Sequence, residues 1–76
     1  MNDMKSYYIR ISSWGTETPD IIDDKIMYQA EHGMNYLNPD DYDFLCEAEC
    51  MRDAESFYDE ELSDYIFTRF AESSHP

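Results

Sequence analysis

The sequence predicts an α+β fold: a short N-terminal β-strand region, of one or two strands, followed by two or three α-helices, the C-terminal helical part long and acidic. Three observations predict it. Tyr7, Ile9 and Ile11 alternate with Tyr8, Arg10 and Ser12, which is the period of a strand over residues 5 to 14. Thr18-Pro19-Asp20 and Asn38-Pro39-Asp40 each read as a helix start. From residue 40 to residue 75 no Gly or Pro interrupts the chain.

Taken in order, the strand ends at the turn signal Gly15-Thr16, and a helix from about 19 to 32 follows. Ile22, Ile26 and Ala30 give that helix its spacing, and Gly33 is placed to cap its C-terminus. Met34 to Leu37 is a short apolar run that suits a second strand. Beyond Asn38 the stripe Phe44, Ala48, Met51, Ala54, Tyr58, Leu62, then Tyr65 and Ile66, has helical spacing. It is compatible with one helix over residues 39–71, or with two that break near Ser56. More than half the chain is expected to be helical, with Glu72 to Pro76 fraying.

Seventy-six residues make a single domain, 1–76, with a small core. Seven Tyr, four Phe and one Trp argue that it folds. Met1 to Ser13 has no apolar core of a secretory leader, and no stretch reaches membrane-spanning length, which predicts a cytoplasmic protein. Cys46 and Cys50, four apart on an expected helix, would have Cβ atoms about 5–6 Å apart. A disulfide needs about 3.5–4.5 Å, so both are expected as thiols. Lys5 to Trp14, as the one strong strand, calls for an edge partner, either a second copy in a homodimer or the target itself.

Charge sets the chain apart. Eighteen Asp and Glu face five Lys and Arg, a formal charge of −13. Solubility alone asks for a magnitude of about 2–8. Direct contact with nucleic acid or an anionic membrane is excluded, since both require a basic footprint. Eleven of the eighteen acids lie between Asp40 and Asp64, with Arg52 the one cation among them. On a helix, Glu49, Asp53, Glu60 and Asp64 form one ridge, led into by Asp43 and Glu47. Four like-charged pairs at i,i+4 (Asp43–Glu47, Glu49–Asp53, Glu55–Asp59, Glu60–Asp64) would together cost the helix about 1–2 kcal/mol. Carboxylates one turn apart, at about 5–6 Å, match the roughly 6–7 Å between neighbouring phosphates of a strand. Tyr42 and Phe57 lie off the main apolar stripe and suit interface anchors.

Other chemistries fit poorly. Cys46, Cys50, His32 and His75 do not have the spacing of a zinc site. Asp40, Asp41 and Asp43 lack the glycine and terminal glutamate of a calcium loop. Neither histidine has a nucleophile partner, and two glycines cannot build a phosphate cradle. No cofactor, no metal and no enzymatic activity are expected. In size, acidity and aromatic-rich acid runs the chain resembles the phage DNA-mimic inhibitors of the anti-CRISPR and anti-restriction class, a group without a shared motif. The resemblance implies a phage-type inhibitor that acts in the host cytoplasm by filling the basic site of a nucleic-acid enzyme or complex. An acidic antitoxin, immunity protein or regulatory adaptor on another basic partner remains open, as does a structural subunit.

Overall fold

The computed structural model describes residues 4–73, with side chains for residues 4–63. The class is α+β. Strand β1 (Lys5–Arg10) is the centre of a three-stranded antiparallel sheet, between β2 (Ile21–Asp23) and β3 (Tyr42–Ala48). Helix α1 (Asp24–Glu31) and helix α2 (Met51–Ser73) complete the fold. Side chains alternate along a strand, and the two core clusters divide accordingly. Tyr7 packs with Ala48 and Ala54, flanked by Ile21, Cys46 and Met51, beneath α2. Ile22, Met27 and Tyr42, flanked by Tyr8, Ile26 and Leu37, lie beneath α1. Each face of the sheet is therefore covered by one helix.

Several sequence expectations are corrected here. The strand stops at Arg10, and Ile11–Ser13 form a 3-10 turn. The helix expected from 19 starts at Asp24. The Asp20 N–H is taken by Ser13 Oγ (2.9 Å), while its carbonyl accepts from the Arg10 N–H (2.8 Å). Ile21 and Ile22 then pair with Ile9 and Tyr8. Sheet formation by two β-branched residues overrides the local start signal, and Asp23, still extended, caps the helix through Ile26 N–H (2.9 Å). The end agrees with expectation. Gly33 has φ +69°, its N–H reaches Ala30 C=O, and the Met34 N–H reaches Gln29 C=O (2.7 Å). That pair of bonds is a Schellman cap, which needs the left-handed residue that glycine supplies.

Met34 to Leu37 is a turn, in which Asn35 Oδ1 accepts from Leu37 N–H (2.9 Å) and Asn35 Nδ2 donates to Ile26 C=O (3.2 Å). Asn38 does cap a turn, accepting from Asp40 N–H (3.1 Å), but the turn is a single 3-10 unit, Pro39–Asp41. Strand β3 follows where a helix was expected. The two α-helices, of 8 and 23 residues, account for less than half of the chain's 76. Helix α2 passes Ser56 without a break. The edge argument for a homodimer through β1 also falls, since β1 is paired on both sides.

Strand β3 carries a bulge. Tyr7 pairs with Cys46 and Tyr8 with Phe44, so Leu45 is the extra residue. Tyr42 and Phe44 therefore share one face, and Cys46 and Ala48 the other.

Two tyrosines tie the loop between β1 and β2 to the rest. Tyr58 of α2 is almost fully buried; its hydroxyl accepts from the Gly15 N–H (3.0 Å) and donates to Thr16 C=O (2.6 Å). Gly15 has φ +86°, a conformation that favours glycine. Tyr42 donates to Asp20 Oδ2 (2.7 Å), and the Arg10 guanidinium lies 5.9 Å from its ring centroid and 4.0 Å from both Asp20 and Asp41. Burial, then the bond to Asp20, push the Tyr42 phenol up to about 12. The folded state thus holds its proton more tightly than the unfolded chain. The resulting stabilisation is complete below pH 10.0 and is lost as pH rises through about 12. Denaturant titrations across that window should show stability falling, and Tyr42→Phe should fall less steeply. Equal slopes would mean that Tyr42 titrates as an exposed phenol.

Candidate functional site

The six acids expected along one helical ridge, Asp43, Glu47, Glu49, Asp53, Glu60 and Asp64, do not lie on one helix. Asp43 and Glu47 are on β3, and Glu49 is in the turn between β3 and α2. Asp53 and Glu60 are on α2, and Asp64 follows on the same helix with its side chain outside the described residues. His75 lies outside them altogether. The Asp43–Glu47 and Glu49–Asp53 pairs are not helical neighbours. Only Glu55–Asp59 and Glu60–Asp64 remain at i,i+4 on a helix, so the expected self-repulsion roughly halves, to under about 1 kcal/mol. Tyr42 is corrected from interface anchor to core: it is buried and bonded to Asp20. Its off-stripe position belonged to a helix that does not form. Phe57 is exposed.

The structure adds a feature that the sequence did not reveal. Beside Phe57 lies an open groove of about 440 Å³ between β1, β3 and α2. Ile9 and Ile11, Trp14, the Asp43–Leu45 stretch of β3, Phe57 and Glu61 line it. Ile11, Trp14 and Phe57 are 57%, 40% and 37% exposed. Trp14 is not loose: it stands edge-on to the Tyr58 ring with centroids 5.1 Å apart. The bulge at Leu45 brings an extra side chain to this rim, as bulges beside binding sites often do. Asp43 accepts from the Phe44 N–H through Oδ1 (2.9 Å), which holds its carboxylate close to the strand. On α2, Asp53, Phe57, Glu60 and Glu61 recur at i, i+4, i+7 and i+8, one side of the helix. The groove is thus apolar inside and acidic along its helical border.

Every acid from Asp40 to Glu61 is exposed. Among the described residues the ion pairs are Arg10–Asp20 and Arg10–Asp41, so of that run only Asp41 is in an ion pair. Cys46, on β3, and Cys50, in the turn, are thiols, and burial pushes the Cys46 thiol up. Among the described residues, no three His, Cys, Asp or Glu side chains are grouped to hold a metal ion. No described helix is long and apolar enough to cross a membrane. No protein-family model, curated protein or solved structure matches the chain.

Proposed function

We propose that this chain is a non-catalytic binding inhibitor that acts in the cytoplasm. Its acidic surface takes the place of nucleic acid in the basic site of a nucleic-acid-binding enzyme or complex, as in the anti-CRISPR and anti-restriction class. On this reading α2 carries the acid along its length, with Asp53, Glu60, Glu61 and Asp64 as part of the contact. The observation that supports it is the exposed, almost unpaired acid run from Asp40 to Glu61. Among the described residues only Asp41, beside Arg10, and Asp53, in the first turn of α2, have a partner in the fold for their charge; for the rest, self-repulsion opposes the compact state. A basic cleft would gain counterion release and fast steered association.

The exposed aromatic groove favours a second reading: an antitoxin, immunity protein or adaptor that grips a basic partner through apolar contact. Capture of partners from host lysate on the immobilised chain, followed by elution with DNA or RNA, separates the two. Release by nucleic acid, with affinity falling steeply as salt rises, supports mimicry. A captured basic protein that ignores nucleic acid and survives high salt supports the second reading.

A further inference from the structure

We propose that the groove between β1, β3 and α2 seats a large apolar side chain of a partner protein that is flanked in its own sequence by Lys or Arg. This rests on the reading of the chain as an acidic binder of a basic protein, and names the local chemistry of the grip.

Two properties of the groove select that occupant. Its walls, from Ile9, Ile11, Trp14, Leu45 and Phe57, offer apolar surface that water leaves favourably. Its polar lining residues, Asp43 and Glu61, are both acidic, are both exposed and lie in no ion pair among the described residues. Asp53 and Glu60 continue the same sign along α2. A phosphate backbone or an anionic lipid surface would be repelled at this rim. A second copy of the chain would bring another −13 against it. An apolar side chain between cations satisfies both walls and rim, in the arrangement of an interface with an aromatic centre and a polar border. Trp14, packed edge-on against buried Tyr58, is already held in place, so little ordering is needed to receive it.

Trp14 is the single tryptophan of the chain, so its fluorescence reports on the groove. Three blocked pentapeptides without Trp serve as probes: Lys-Arg-Phe-Lys-Arg, Lys-Arg-Gly-Lys-Arg and Glu-Glu-Phe-Glu-Glu. Calorimetry measures binding, and emission measures the environment of Trp14. The basic Phe peptide should bind roughly tenfold tighter than the Gly peptide, the scale of one aromatic anchor, and should alone shift Trp14 emission. Phe57→Ser should erase that advantage while leaving the Gly peptide unaffected. Should Phe57→Ser not fold, as judged by circular dichroism, Asp43→Asn with Glu61→Gln takes its place and should bring the basic Phe peptide close to the acidic one.

Equal binding of the two basic peptides with Trp14 unmoved overturns the groove proposal and leaves the charge reading standing. Failure of both basic peptides to bind removes the charge reading as well. Equal binding of the acidic Phe peptide overturns the choice of a basic partner. A concentration-dependent dimer that Phe57→Ser dissolves assigns the groove to a second copy instead.

Discussion

Tyr58→Ala should leave the chain unfolded at room temperature. Truncating a buried aromatic typically costs about 3–5 kcal/mol, and Tyr58 is the largest fully buried side chain among the described residues. Its hydroxyl also satisfies the Gly15 N–H and the Thr16 C=O. Each partner left unpaired in a partly buried setting adds a penalty of up to about 1–3 kcal/mol. A domain of this size rarely draws more than about 3–5 kcal/mol from its core. The loss therefore matches or exceeds the whole. Tyr58→Phe keeps the ring, and with it the edge-on support for Trp14, and removes only the two hydrogen bonds. It should stay folded with a stability lower by about 1–3 kcal/mol, read as a lower urea midpoint at unchanged slope. If Tyr58→Ala melts like the parent, the β1–β2 loop is held by something other than Tyr58.

Tyr58 also illustrates what was legible in the sequence. It stood on the apolar stripe with Ala54, and both are buried on α2. Upstream the same stripe misled, for a specific reason. Phe44 and Ala48 stand four apart, as on one side of a helix, but the bulge at Leu45 puts them on opposite faces of a strand. A bulge breaks the period of two, so the alternation that would have marked a strand is missing, and nothing local marks Leu45 as the extra residue. The two Pro-containing start signals failed differently. Asn38 does cap its turn, but a start signal does not say how far a helix propagates, and at Thr18-Pro19 pairing of the next residues with β1 left no helix to start. Tyr7, Tyr8 and Ile9 needed strands on both sides, and that non-local demand recruited Ile21–Asp23 and Tyr42–Ala48.

The groove was hidden for the same reason. Phe57 was visible as an off-stripe aromatic, but its neighbours Ile11 and Trp14 come from more than forty positions away. The faint local signal was the lone Trp14 just before Gly15, a bulky residue at a turn with no core partner in its own segment.

Neutralising the acids should separate folding from binding, because stability rises at one position and falls at another while association slows at both. Glu60→Gln relieves repulsion with Asp64 one turn on and should raise stability by about 0.2–0.5 kcal/mol. Asp53 lies in the first turn of α2, where its charge complements the helix dipole. Asp53→Asn should therefore lower stability by about 0.3–1 kcal/mol. If the charge serves binding, both changes should nonetheless slow association with the captured partner and flatten its salt dependence. Asp43→Asn with Glu61→Gln, at the groove itself, should in addition speed dissociation, since these acids border the apolar contact. Glu47→Gln with Glu49→Gln, on β3 and the turn beyond it, tests whether the contact extends away from α2. Stopped-flow association rates over a salt series measure all of these together. Association rates that follow stability rather than charge would reduce the acids to a solvated surface. Unchanged binding by every acid variant, with binding abolished in Phe57→Ser, would leave the groove as the whole of the contact and rule out mimicry of nucleic acid.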